Sequence, residues 1–425
     1  MNPLQRVKKT IEDHDRKLVE EGLRIYGRSA VATAYLLTMC SVLRFHFQGR
    51  PLVRGWLDVL VLGDTRCGKS AIAEGIVSGT HMGEMFKCEN VSYAGLIGGL
   101  QQIGQRSKWD IVWGKIPLNS GRACIADEMS SLSIEDIGNM SAVRSSGIAE
   151  INKVQSGMTR AATRMFWISN PRDSRSMSEY TYGVQAVQEL IGRPEDIARF
   201  DFVVGVRSDD VPLSVVNANR NPPEFTPDWE AITNLIRWAW GLRCQDVVFT
   251  DEATDACLSI ATAQAKEYAN NIPLVEPNEQ RVRLARVATS VAVRSFSEQG
   301  GKLYVRPQHV EYADHFMREC FNGRAMNYNG YSKAMKRELS ENAASIAHVK
   351  DTLLKFCFNG DMRPLRLLHH SDVLTPTDIE VYFNVPRAEG REIVSTMMRH
   401  GCLSRKSAGF VKTQMGIALL EEMLK

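Results

Sequence analysis

No Cys-x-x-Cys pair occurs in the chain. Its nine cysteines stand apart at 40, 67, 88, 124, 244, 257, 320, 357 and 402, mostly inside apolar segments. That pattern excludes a zinc ribbon or a disulfide framework and reads as reduced structural thiols. No run approaches the roughly 18 uninterrupted apolar residues of a membrane span. Residues 1–15 are charged and lack the apolar core of a secretory signal, so the expectation is a soluble, intracellular protein with no membrane partner. An excess of one charge is also missing. Lys and Arg total 52 against 49 acids, a net charge of +3, which neither demands nor excludes a nucleic-acid partner; any basic surface must be local. Internal repeats and low-complexity tracts are absent as well. What is present is 425 residues with 44 % apolar content, enough for two or three domains with real cores.

The chain is organised around Gly63, Asp64, Thr65, Arg66, Cys67, Gly68, Lys69 and Ser70, preceded by the apolar run 57–62 and followed by Ala71, Ile72 and Ala73. This is G-x-x-x-x-G-K-S between a strand and a helix, a phosphate-binding loop. The glycines let the backbone bend round phosphates, and successive N–H groups with the positive helix end hold negative charge. Lys69 is assigned to the outer phosphates of ATP and Ser70 to a magnesium ion.

Residues 8–21 are polar and helical in pattern, and 29–45 read as a mostly buried helix. The stretch after Gly83 reads as an insert running through 101–108 to a strand over 109–117. Apolar strands are expected at 122–126, 165–169 and 200–206, the first ending in Asp127 and Glu128 and the second in Asn170 and Pro171. Strands that end in polar residues and alternate with helices imply a doubly wound parallel sheet with its site at the strand carboxyl ends. Asp127 suits hydrated magnesium and Glu128 a catalytic base. Asn170 offers a neutral amide beside the outer phosphate. A strand ending in Asp-Glu is more often a turn onto a helix N-terminus, and Asn before Pro is a turn signal; the shared context with the phosphate loop favours function. Arg199 precedes a strand with Asp196 and Asp201 as its local acids, so a surface salt bridge is the alternative there.

Taken in order, the phosphate loop, Tyr93-Ala94-Gly95-Leu96, Ala123 to Met129 around the acid pair, Ile168-Ser169-Asn170-Pro171 and Ala198-Arg199-Phe200-Asp201-Phe202 resemble the landmarks of the minichromosome maintenance (MCM) helicases of the AAA+ superfamily. Ile25-Tyr26-Gly27 looks like the segment opening the MCM ATPase module, and 277–296 like its helical lid. The resemblance covers about 23–321. It implies Walker A at 63–70, Walker B at Asp127 and Glu128, sensor 1 at Asn170, and an arginine finger, Arg199, acting on ATP of the neighbouring subunit in a ring, usually a homo-hexamer. Such a finger is worth about 10³ to 10⁵ in rate. Among Arg281, Arg283 and Arg286, Arg281 is the expected sensor 2, with helix-face salt bridges for the other two.

The resemblance also implies two DNA-facing segments. One is a hairpin within 148–164, with Lys153 as its pore cation and Arg160 and Arg164 behind it. The other is the insert 101–108, with Arg106 and Lys108. A ring repeats each contact, so a near-neutral subunit can still line a positive channel. Past 323–332, which reads as a flexible polar boundary, helical patterns and a two-stranded wing over 402–412 resemble a winged-helix domain, with 387–400 as recognition-type helix and Arg405 and Lys406 on the wing. The expected organisation is a helical leader at 1–22, the AAA+ core at 23–240, a helical lid and linker at 241–332 and the winged helix at 333–425.

The departures from the family pattern are informative. Only 24 residues precede Ile25, where family members carry an oligonucleotide-binding barrel often with zinc. Cys-Ile-Ala-Asp-Glu stands in place of Cys-Ile-Asp-Glu, and Arg199 lacks its usual preceding serine. These features suggest a compact bacterial, phage or mobile-element member, cytoplasmic and nucleoid-associated, with a separate replication partner supplying the missing domain, or else an excised module of a longer chain. The expected activity is ATP-driven unwinding on single-stranded DNA. The alternative is a DNA-bound loader or remodelling ATPase without processive unwinding.

Overall fold

The apolar run before the phosphate loop forms β1 (Asp58–Gly63), with every residue buried. A strand buried on both faces belongs inside a parallel sheet covered by helices. In the computed structural model, which describes residues 1–103, 108–220, 225–268, 270–357, 361–371, 373–406 and 409–424, that is where it lies. The following strands are β2 (Glu84–Lys87), β3 (Gly98–Ile103), β4 (Lys108–Trp113), β5 (Ala123–Asp127), β6 (Ile148–Asn152), β7 (Ser156–Arg160), β8 (Arg164–Ser169) and β9 (Phe202–Val206). Five of them form one parallel sheet in the order β9-β1-β8-β5-β2. The phosphate loop, the acid pair after β5 and Asn170 after β8 therefore share the carboxyl edge of the sheet. The other two pairs, β3 with β4 and β6 with β7, are antiparallel hairpins outside it.

Helices α1 (Pro3–Lys17), α2 (Ser29–Met39), α3 (Lys69–Thr80), α4 (Trp229–Gly241), α5 (Asp251–Tyr268), α6 (Gln280–Arg294) and α7 (Pro307–Asn322) complete the larger of two compact units, Met1–Ser332. Helix α1 starts on Asn2, which exchanges capping hydrogen bonds with Gln5. Helix α2 is apolar all round and buried from Val31 to Met39, as a helix with no solvent face must be. It stops at Met39 rather than running to residue 45. Beyond it, the Ser41 hydroxyl donates to Thr38 O at 2.7 Å and accepts from the Leu57 N–H at 3.2 Å, a local competition that ends helices. The strand expected over 109–117 likewise ends at Trp113, and Lys115–Leu118 is a helical turn. No helix among the described residues is long and apolar enough to cross a membrane.

Several elements have no counterpart in the sequence reading, among them α4, β3 and the following two. The edge strand β2 is only four residues long and half polar, and a small sheet of Val247–Phe249, Glu298–Gln299 and Lys302–Val305 sits beside α6. One expectation is corrected. The segment 323–332 is not a solvated boundary: Ala325, Met326, Tyr328, Tyr331 and Ser332 are buried. Tyr328 stacks on Tyr268 at 5.3 Å and its hydroxyl donates to Ile272 O at 2.6 Å, so its polar end is satisfied inside the core.

The second unit, Lys333–Lys425, holds most of α8 (Tyr328–Lys355) with α9 (Arg363–His370), α10 (Pro376–Phe383), α11 (Arg387–Arg399), the antiparallel pair β10 (Leu403–Lys406) and β11 (Gly409–Lys412), and α12 (Gln414–Met423). Its core gathers Leu353, Leu365, Ile379, Ile393, Met397 and Leu420. Helix α10 opens on a Thr375–Asp378 capping box.

At the amino edge of the sheet the interior is charged. Asp58, which opens β1, accepts from Arg144 Nε at 2.7 Å and Trp167 Nε1 at 2.8 Å. Asp201, before β9, accepts from Arg286 Nε at 2.7 Å, from Arg54 and from the Asp58 N–H at 2.9 Å. Burial by itself would raise the Asp201 carboxyl's pKa, but the Arg286 and Arg54 guanidiniums and the Asp58 N–H outweigh it and hold it below the usual carboxylate range. Asp15 on α1 is held low in the same way: burial opposes, and Arg294 and His14 prevail.

A carboxylate whose folded pKa lies below its unfolded value contributes stability above the unfolded value and loses it as pH falls through the folded one. The melting temperature should therefore change little from neutrality to about pH 5 and fall steeply below about pH 4; equal stability at pH 3 and pH 7 would contradict the assignment. Asp201→Asn leaves two buried guanidiniums without their anion and should cost about 3 to 5 kcal/mol in denaturant unfolding. A loss within about 1 kcal/mol, the range of exposed pairs, would show that the cluster is not a buried ion pair.

Candidate nucleotide site and nucleic-acid interface

Gly68 takes φ +82°, and a Cβ there would come within 2.7 Å of Ile25 Cγ2, so the turn into α3 requires glycine. The next residue, Lys69, is 5 % exposed. Its ammonium donates to Gly63 O at 2.9 Å, Asp64 O at 2.6 Å and Asn170 Oδ1 at 2.9 Å. These are neutral acceptors, and burial lowers its pKa. A buried cation held by neutral oxygens is costly without an anion, which is the environment a phosphate would complete.

Ser70 Oγ donates to Asp127 Oδ1 at 3.0 Å. This hydroxyl and carboxylate are both oxygen donors, the set that suits magnesium. Glu128 stands in the left-handed region at φ 57° and accepts from Asn170 Nδ2 at 3.1 Å. Burial first, then the neighbouring Asp127 and Glu89 charges, raise its pKa, the direction that makes a carboxylate a better proton acceptor. Lys69, Asn170 and Glu128 are thus one hydrogen-bonded chain. Lys69, Ser70, Asp127 and Asn170 line a cavity of about 440 Å³ with Thr65, Arg66, Cys67 and Gly68. A second, of about 710 Å³, shares Thr65, Glu128 and Asn170 with it.

Asp64 differs from its expected role as a nucleotide contact. Both its carboxylate oxygens are taken by protein donors, Ser176 Oγ and the Met177 and Ser208 N–H groups. Burial would raise its pKa, but these hydrogen bonds lower it. Arg28, which the sequence reading passed over, is 7 % exposed and donates to Cys67 O at 3.1 Å and Arg207 O at 2.7 Å. Arg172, also passed over, donates to Ser130, Leu132 and Leu190 carbonyls and so fixes the loop after Asn170. Neither arginine carries a motif signal beyond adjacency to Gly27 and to Pro171.

Arg199 lies three residues before β9, at the amino edge. Its side chain is about a quarter exposed, with Asp196 Oδ1 at 3.4 Å. Its backbone is clamped: Arg54 Nη1 donates to Arg199 O at 2.8 Å, and Arg283 donates to Ala198 O. Of the three lid arginines, Arg283 and Arg286 are buried in this clamp, whereas Arg281 is exposed and donates to Asn278 O at 2.6 Å.

The β6–β7 hairpin presents Lys153 at its exposed tip beside Val154, which is 81 % exposed. Arg160 is exposed at its base, opposite Ile148. Arg164 is a correction. It is fully buried in β8, donates to Ser41 O at 2.6 Å and Gly121 O at 2.7 Å, and lies 4.8 Å from the Trp240 ring centroid, so it cannot face a nucleic acid. In the β3–β4 hairpin, Lys108 pairs in register with Ile103; Arg106 lies outside the described residues. The two hairpins meet where Gly157 passes Ile111 and Gly98 passes Ile151.

A family model described as the MCM P-loop domain matches residues 3–212, a span that contains all five strands of the central sheet. The DNA replication licensing factor mcm2 of Schizosaccharomyces pombe is 19 % identical over 232 residues, 53 % of this chain and 28 % of that protein. The chain thus spans less than a third of that relative's length. With the ordered motifs, the sheet order and the nucleotide-site geometry in agreement, the chain is an MCM-like AAA+ protein.

Proposed function

We propose that the chain is an ATP-dependent, MCM-like DNA helicase that works as a homo-hexameric ring, moves on single-stranded DNA through the ring and separates duplex during replication. The observation that carries this reading is the position of Arg199. Its strand pairs in parallel with β1, so Arg199 sits near Asp58 while the phosphate loop follows Gly63. Six residues of extended chain span about 20 Å, beyond the reach of an arginine side chain. The guanidinium can therefore meet a phosphate only on a second copy.

Bound ATP and magnesium would supply an outer phosphate polarised for attack by water. Lys69 would hold that phosphate and Ser70 and Asp127 would hold the metal, while Glu128 takes the proton of the water and Asn170 orients Glu128. Arg199 and Arg281 act from the neighbour. Lys153 and Arg160 line the DNA channel; the side chain of Lys108 is outside the described set. Residues 333–425 serve as a winged helix, a reading supported by α10, α11 and the β10–β11 pair with exposed Arg405; the side chain of Lys406 is outside the described set.

Arg199→Ala should lower ATP turnover by about 10³-fold or more while fluorescent ATP still binds; turnover within about tenfold of wild type would remove the finger. Lys153→Ala should abolish strand separation and leave basal ATP hydrolysis within about twofold, since a phosphate contact contributes to grip rather than chemistry. Unimpaired unwinding by that variant would exclude the hairpin from the DNA path.

A further inference from the structure

Two tethers join the phosphate loop to the carboxyl end of β9, the strand whose other end carries Arg199. Asp64, 7 % exposed, accepts from the Ser208 N–H at 2.8 Å through Oδ2, and its own N–H donates to Val206 O at 3.1 Å. Arg28 spans the same gap, from Cys67 O to Arg207 O and Asp210 Oδ2. Through Oδ1, Asp64 also holds Met177 N–H at 2.7 Å and Ser176 Oγ at 3.1 Å. Those two residues belong to the loop that follows Asn170. At the far end of β9, Arg54, Arg283 and Arg286 clamp Ala198, Arg199 and Asp201. Between the two ends all five residues of β9 pair with β1. A strand paired along its length and tied at both ends moves as one piece, because packed interiors transmit displacement rather than absorb it.

We propose that Asp64 is a positioning residue that couples the nucleotide held by one subunit to the Arg199 which that subunit offers its neighbour, by way of Ser208 and β9. The proposal rests on the trans-acting Arg199 of the preceding section. Charge-assisted hydrogen bonds to the carboxylate are the strong links in the path, and Asp64 is the phosphate-loop side chain that grips both the loop after Asn170 and the segment after β9.

Ser208→Pro is the selective test. Ser208 opens a short 3-10 turn, a position that accepts proline, and the preceding Arg207 is extended at φ −111°, ψ 151°, as a residue before proline must be. The substitution removes the one N–H bound to Asp64 Oδ2. Subunits carrying Glu128→Gln, which keep Lys69, Ser70 and Asp127 to hold nucleotide and lack only the proposed base, are mixed one to one with wild type, and DNA-stimulated ATP hydrolysis is measured. The dead subunits still present Arg199. Adding Arg199→Ala to them is the control and should lower the activity of the mixture. Adding Ser208→Pro should lower turnover about threefold at the wild-type sites that face a dead subunit, the size of a coupling near 0.7 kcal/mol, and so remove about a third of the mixture's total activity, with an unchanged melting temperature. Asp64→Asn in the same background should act in the same direction and decides the matter if Ser208→Pro lowers the melting temperature.

If the Arg199→Ala control has no effect, the trans-acting reading fails and the coupling falls with it. If the control lowers activity while the Ser208→Pro and Asp64→Asn mixtures match Glu128→Gln alone, the coupling is overturned and the trans-acting reading stands.

Discussion

The parallel pairing of β1 with β9, Val206 beside Gly63 and Phe202 beside Val59, is the constraint on which the rest depends. It places the phosphate loop at one edge of the sheet and the start of β9 at the other. The carboxyl edge gathers Lys69, Ser70, Asp127, Glu128 and Asn170 because β1, β5 and β8 all end there. The amino edge carries the Arg199 guanidinium, beside Asp196, on a clamped backbone. On the proposed trans-acting reading of Arg199, one chain holds two halves of a site that it cannot close by itself.

Electrostatics divides along the same line. Toward the amino edge, Asp58 and Asp201 are buried with Arg144, Arg54 and Arg286, and their charges are neutralised within the fold. Breaking such pairs is costly even where forming them contributes little net stability, so their worth here lies in fixing where Arg199 stands. At the carboxyl edge, Lys69 is buried against neutral oxygens and Glu128 is pushed toward its protonated form. That edge is left unbalanced in favour of an anion and a cation together.

What was legible in the sequence was what is contiguous. The phosphate loop declares itself in eight residues, and β5 and β8 each announce the polar residue they deliver. The β6–β7 hairpin was expected from the family resemblance rather than from a signal in its own residues. The buried ion pairs were not legible, because Asp58 and Arg144 are 86 positions apart and nothing local marks them as partners. Arg164 was misread for a related reason: a cation at the head of an apolar strand looks solvent-facing until the carbonyls of Ser41 and Gly121 are seen to receive it. Tyr328 and Tyr331 were misread because a hydroxyl and nearby asparagines mimic a linker, whereas their rings fill a core. The four-residue β2 is too short to carry a periodicity.

The most direct measurement is strand displacement on a forked DNA with a free 3′ tail, with ATP and magnesium, comparing wild type with Glu128→Gln at equal concentration. Displacement by wild type and none by the variant is the expected result, since only the variant lacks the base. Absence of displacement by wild type, with single-stranded DNA still stimulating ATP hydrolysis, would contradict a helicase and point instead to an ATPase that loads or remodels another protein on DNA.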